Sequence, residues 1–207
     1  MSRGEAVSES PRGQGERHAL VLRIPRQQEV SIEDAYLGLA GLTKPVTSYH
    51  ITLVGPFHFR RPFAEELEEI LASACSRWEP FDVRVRGLGA FEHPGDHLVY
   101  LGVANEEQVV ALRGFLLKQL LPHLTPENDR VAQFTLASYH PHVTLGLGLS
   151  DAELQSILAT AQRRVVDLLF RADCVWLMAQ VGSAPWRYVR SFPLGGDGSA
   201  PCQDDHH

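Results

Sequence analysis

The sequence predicts a mixed domain of helices and strands over roughly residues 18–195. Three observations predict it. Apolar runs of strand length alternate with segments of helical periodicity. The order strand, helix, strand, helix, strand occurs twice, dividing the region into lobes of about 18–92 and 93–195. The flanks, 1–17 and 196–207, are rich in Gly, Ser and charge and poor in apolar residues, so they read as disordered tails.

In chain order, Ala19 to Ile24 is a short apolar run ending at Pro25, as a buried strand would. Ser31 suits a helix N-cap, and Ile32, Ala35, Tyr36 and Leu39 follow at helical spacing. Tyr49 to Val54 is a second strand, closed by Gly55-Pro56. A helix is expected from Pro62, a favoured first-turn residue, to Trp78, with Phe63, Leu67, Ile70 and Leu71 on one face. Phe81 to Arg86 alternates with period two, the mark of a half-buried strand.

The second stretch repeats the theme. His97 to Val103 is a strand, and Glu106 to about Leu121 is a helix with acidic residues where its dipole favours them. His142 to Leu147 is a strand. Ser150 caps a helix to about Val165, with Glu153 completing a capping box. Phe170 to Val181 and Trp186 to Phe192 form a closing hairpin turned at residues 182–185.

Composition narrows the function classes. With 44% hydrophobic and 21% charged residues, the chain is typical of a globular protein. No run of 18 or more apolar residues suggests a membrane span, and the N-terminus lacks a signal-like apolar stretch, so a cytoplasmic protein is expected. A net charge of −6 disfavours coating of long nucleic acid, but a small phosphate ligand in a locally basic cleft remains open. Cys75, Cys174 and Cys202 are few and widely spaced, so two ordinary thiols and one tail thiol are expected, with no disulfide framework or zinc site.

The chemistry lies in two similar segments, Tyr49-His50-Ile51-Thr52-Leu53-Val54-Gly55 and Pro141-His142-Val143-Thr144-Leu145-Gly146. They occupy matched places in the two stretches. In a strand, side chains at i and i+2 share a face, so His and Thr of each copy project together. Ile51, Leu53, Val143 and Leu145 point the other way. With ten histidines in the chain a lone His-x-Thr means little. Two in the same context mean more.

Cleavage of a cyclic 2′,3′-phosphodiester by water needs a base at the incoming oxygen and an acid at the departing one, on opposite sides of phosphorus. Imidazole fills either role near neutral pH. Threonine hydroxyls donate to the non-bridging oxygens where charge develops. Ring strain in the cyclic ester assists, so this chemistry requires no metal.

The segments HITLVGPF and YHPHVTLGLG resemble the paired His-x-Thr motifs of the 2H phosphoesterase superfamily, in particular the 2′-5′ RNA ligase and cyclic phosphodiesterase family. The resemblance spans about residues 18–195. It implies an α+β, bilobal, pseudo-two-fold fold of two antiparallel-rich sheets around a central cleft, with helices outside. It implies His50 and His142 as the catalytic pair, Thr52 and Thr144 as phosphate ligands, and no metal or other cofactor. The implied substrates are RNA ends bearing a 2′,3′-cyclic phosphate or small cyclic nucleotides, opened to 2′-phosphates by a monomer. Three other readings stay open: 2′-5′ ligation by the reverse reaction, a non-catalytic nucleotide-binding module, and processing of tRNA or ADP-ribose substrates. Where the family often carries Arg before the second motif, this chain has Ser138-Tyr139-His140-Pro141.

Three further residues are candidate substrate contacts. His140 could share the cleft of His142, Phe57 could stack on a base, and Arg187 could pair with phosphate. The competing readings are an exposed strand-start residue, a loop-seating aromatic and a solvated surface charge.

Overall fold

The described residues of a computed structural model are 15–61, 65–126, 139–161, 164–196 and 202. They form β1 (Arg17–Arg23), α1 (Arg26–Tyr36), β2 (His50–Phe59), α2 (Glu65–Ser76), β3 (Phe81–Phe91), β4 (His97–Val103) and α3 (Glu107–Leu120). A 3₁₀ turn (Leu121–His123) leads to β5 (Leu124–Pro126), β6 (His142–Leu149), α4 (Asp151–Ala161), β7 (Asp167–Ala172), β8 (Cys174–Gln180) and β9 (Arg187–Pro193). Most of both expected tails, and Pro62 and Phe63 at the expected start of α2, lie outside the described residues.

Every strand pairing described is antiparallel, and the spatial order is β7-β3-β4-β6-β2-β1-β8-β9, with β5 on the far end of β2. The two expected sheets are thus halves of one curled sheet, joined where Ile51 of β2 faces Val143 of β6. The halves repeat each other in register. Arg23, Leu22 and Val21 of β1 face His50, Ile51 and Thr52, while Gly102, Leu101 and Tyr100 of β4 face His142, Val143 and Thr144. A pseudo-two-fold axis therefore passes through the Ile51–Val143 seam.

The division at residue 92 is not the physical one. β3 forms a local antiparallel pair with β4 and carries β7 on its other edge. β8 and β9 return to the free edge of β1. The halves interleave in sequence because short antiparallel connections, not chain order, decide which strands pair.

Alternation sets the faces of the sheet. Leu20, Leu22, Ile51, Leu53, Val99, Leu101, Val143 and Leu145 pack into the main core with Ile32 of α1, Leu71 of α2, Leu112 and Leu116 of α3 and Ile157 of α4. α3 lies against β2, α2 against β9 and α3, and α4 against β4. The helices thus cover one face and leave His50, Thr52, His142 and Thr144 on the other. On that second face a smaller cluster gathers Ala19, Val21, Trp176 and Met178.

Several boundaries differ from expectation for physical reasons. α1 starts one turn before Ser31, directly after Pro25, whose carbonyl accepts from the amides of Gln28 and Glu29 at 2.8 and 3.2 Å. The run from Phe170 to Val181 is two strands parted at Asp173, because β7 pairs with β3 and β8 with β1. The expected β8–β9 hairpin is present. So is the capping box of α4: Ser150 N donates to Glu153 Oε2 at 2.8 Å, and Glu153 N to Ser150 Oγ at 3.4 Å. β5 carried no sequence signal, being only three residues long.

Cys174 and Cys202 form a disulfide, contrary to the expectation of free thiols. β9 brings the chain back beside the start of β8, where Leu194 N donates to Asp173 O at 2.6 Å, and the two Cα atoms lie 5.8 Å apart. A separation of 28 residues concealed this proximity. Cys75 is a free, buried thiol. No helix among the described residues is long and apolar enough to cross a membrane.

Candidate active site

Each histidine is positioned by its own strand. His50 and His142 open β2 and β6, and the Nδ1–H of each donates to the carbonyl two residues earlier. His50 bonds Ser48 O at 2.9 Å and His142 bonds His140 O at 2.8 Å. A carbonyl can only accept, so Nδ1 carries the hydrogen and Nε2 is left facing the space above the sheet. The two copies of the motif share this arrangement.

Continuing the Ile51–Val143 register by one residue each way places His50 opposite Thr144 and His142 opposite Thr52. Ile51 and Val143 are fully buried beneath, so all four polar side chains rise from the opposite face. Diagonal partners of this kind have Cα atoms about 7–8 Å apart. Two imidazole rings extending from such positions can flank one phosphorus. The charge of His142 is among the influences on His50.

Burial holds both rings below the ordinary histidine value of 6.5. For His50 the bond to Ser48 O opposes this, the charge of His142 reinforces it, and Glu29 opposes it. For His142 the bond to His140 O opposes burial and the charge of His140 reinforces it. Burial dominates in each case because desolvation disfavours the charged form.

The walls on the two sides differ. Beside His142, the rings of Phe91 and Tyr100 approach it at 5.2 and 5.3 Å between centroids, and stack on each other at 4.6 Å. His140 joins them, 5.4 Å from Tyr100, with its Nδ1 3.6 Å from Glu106. Gly89 lies directly under Tyr100: a Cβ there would stand 2.5 Å from the ring, so glycine is what lets the tyrosine lie flat. Beside His50 the corresponding positions exchange sizes. Val21 replaces Tyr100 and Trp176 replaces Gly89, so the aromatic ring comes from the outer strand. Arg23 faces His50 with its guanidinium over Trp176 at 5.6 Å and Tyr188 at 5.3 Å. The Tyr188 hydroxyl is hydrogen-bonded to Ser48 Oγ, next to the carbonyl that holds His50.

Two buried contacts brace the motifs. Glu29, 1% exposed, accepts from Tyr49 N at 2.9 Å and fixes the entry to β2. The Tyr139 hydroxyl donates to Thr52 O at 2.8 Å, tying the approach to β6 onto β2, while Arg113 lies 4.4 Å from the Tyr139 ring.

The structure thus brings His50, His142, Thr52, Thr144 and His140 together and sets Phe57 and Arg187 apart. Phe57 is 0% exposed and packs on Phe59 at 5.1 Å and His18 at 6.1 Å. Phe57 has the parity of Ile51 and Leu53 and lies opposite His18, so it belongs to the core face, where it cannot stack on a ligand. Arg187, on edge strand β9, faces Ala179 and pairs with Glu16 at 2.8 Å, away from the cleft. A register shift between Leu177 and Met178 gives the site face to Tyr188 instead. Sequence reasoning missed Arg23, Tyr100, Phe91, Trp176 and Tyr188. Arg23 did carry a signal, being a charged residue at the end of an apolar strand. Among the described residues no cluster of three or more His, Cys, Asp or Glu side chains could hold a metal ion.

An antiparallel sheet presenting two symmetry-related His-x-Thr strands on one open face is the architecture of a phosphoesterase of the two-histidine type. The family model described as the 2′-5′ RNA ligase superfamily matches residues 44–184, and the chain belongs to that superfamily. A protein named "Putative phosphoesterase" from Bacillus pumilus (strain SAFR-032) is 28% identical over 149 residues, covering 72% of this chain and 81% of its own. A similarly named protein of Bacillus cereus (strain AH820) is 28% identical over 148 residues, covering 70% and 78%. In fold the chain is similar to TT0787 of Thermus thermophilus, with TM-score 0.59, 18% identity and coverage of 87% and 99%. It is also similar to E. coli LigT complexed with 3′-AMP, with TM-score 0.55, 16% identity and coverage of 87% and 98%.

Proposed function

We propose that the chain is a metal-independent 2′,3′-cyclic phosphodiesterase acting on RNA ends or nucleotides and releasing a 2′-phosphate. The observation that supports this reading is the matched pair of Nδ1–H bonds, Ser48 O with His50 and His140 O with His142, which leaves Nε2 of each ring as the basic nitrogen. One neutral imidazole takes a proton from water as the water oxygen attacks phosphorus. The other, protonated, gives its proton to the departing 3′ oxygen as the P–O3′ bond breaks. Thr52 and Thr144 donate to the non-bridging oxygens, where negative charge grows. Both proton transfers are served by imidazole, so no step calls for a Lewis acid. The 3′-AMP bound by LigT supports a nucleotide-sized ligand for this fold, and the rings of Phe91, Tyr100 and His140 offer a base a stacking wall beside His142.

The test is to incubate the protein with 2′,3′-cyclic AMP in EDTA and separate the products by chromatography. Accumulation of 2′-AMP is expected. Absence of any nucleoside monophosphate, with folded protein, overturns the proposal.

A further inference from the structure

Arg23 stands out among the arginines near the sheet. Arg26, Arg84, Arg171, Arg187 and Arg190 all pair with carboxylates. Among the described residues Arg23 has no carboxylate partner. Its Nε and Nη1 are buried with no hydrogen-bond partner there, and its guanidinium rests on the faces of Trp176 and Tyr188. A guanidinium stays charged at any ordinary pH, so sealing two of its nitrogens without an acceptor is unfavourable. Ring faces offset part of that cost. The Nη2 edge is left to take an anion.

Position identifies which anion. Arg23 is the direct cross-strand partner of His50, on the same face, and its pseudo-two-fold counterpart beside His142 is Gly102. The guanidinium therefore marks one end of the site and has no equivalent at the matching position of the other. It also leans outward, over rings carried by β8 and β9, and not inward toward Thr52 and Thr144. It thus lies on the outer side of His50, away from the two threonines.

We infer that Arg23 is the seat of a second substrate phosphate, flanking the cyclic diester on the His50 side. This rests on the phosphodiesterase reading and narrows its substrate class. The preferred substrates are those whose terminal nucleoside carries a phosphate on its 5′ oxygen, either a monoester or the internucleotide diester of an RNA end. Trp176 and Tyr188 hold the guanidinium in place, which limits the side-chain entropy lost on binding.

The experiment compares kcat/KM for adenosine 2′,3′-cyclic phosphate bearing a 5′-hydroxyl, the same nucleoside bearing a 5′-phosphate, and a dinucleotide ending in a 2′,3′-cyclic phosphate. Wild type and Arg23→Met are compared; Met keeps an unbranched stem between the rings. Wild type should prefer one or both flanked substrates by about tenfold or more, the usual worth of a charge-assisted bond. In Arg23→Met that ratio should collapse toward one. Preference for the monoester alone identifies nucleotides as the source, and preference for the dinucleotide identifies RNA ends. No preference in wild type, or an equal loss on all three substrates in the variant, overturns the inference. A binding arm separates its failure from that of the parent reading. Calorimetry of adenosine 3′,5′-bisphosphate against 3′-AMP should show tighter binding of the bisphosphate by wild type and not by Arg23→Met. That result without turnover of any cyclic substrate would sink the phosphodiesterase and keep the Arg23 site. Equal binding of the two by wild type would sink the site.

Discussion

His50 and His142 stand on a diagonal across one backbone pair, Ile51 with Val143, so across that seam each histidine lies opposite the other motif's threonine. The seam between the halves of the sheet is therefore also the floor of the site. On the proposed mechanism a disturbance of the seam disturbs the geometry of the two histidines, and both effects should be measurable.

Ile51 is fully buried at that seam. Ile51→Ala should cost about 2–5 kcal/mol of stability, the range for deleting a large core side chain. It should also lower kcat under conditions where the variant is still folded. Urea denaturation alongside kinetics checks both, and a variant with wild-type stability would show that the seam is not well packed.

The pH dependence of turnover follows from burial of the rings. Both imidazoles are held below 6.5, so at neutral pH the resting site is mostly unprotonated. In the proposed mechanism the reactive form has one proton on the pair and becomes more populated toward acid. A plot of kcat/KM should be bell-shaped with its maximum below about pH 6.5, and its two apparent pKa values belong to the pair. A maximum at about pH 8 or above would contradict this.

Stability should follow the same rings with a definite sign. His18, His50 and His142 are all lowered, chiefly by burial, so between their folded values and 6.5 the unfolded chain binds more protons than the folded one. Stability then rises with pH through that window, and is lost as pH falls below about 6.5. Urea midpoints at about pH 7.5 and about pH 5.5 should differ in that direction, and His142→Gln should reduce the difference. Greater stability at the acid value would mean that another group dominates.

How much of this could be read from the sequence depends on what each residue needs. The His-x-Thr faces were legible because a period of two is a local property, and the capping box at Ser150 and Glu153 is local too. Phe57, on the parity of Ile51 and Leu53, was on the core face by alternation alone, whereas Arg187 differs from expectation because a register shift between Leu177 and Met178 alters which face a side chain takes. No local pattern marks such a shift. Arg23 and Tyr100 needed the pairing of β1 with β2 and β4 with β6, which sequence order does not supply. The interleaving of the halves and the Cys174–Cys202 bond are hidden for the same reason.

The most direct measurement is kcat/KM on 2′,3′-cyclic AMP for His50→Ala and His142→Ala, each compared with wild type and checked for intact fold by circular dichroism. Each variant should lose about 10²- to 10⁴-fold, the usual contribution of a positioned acid or base. A folded variant of either that turns over at the wild-type rate would contradict two-histidine catalysis.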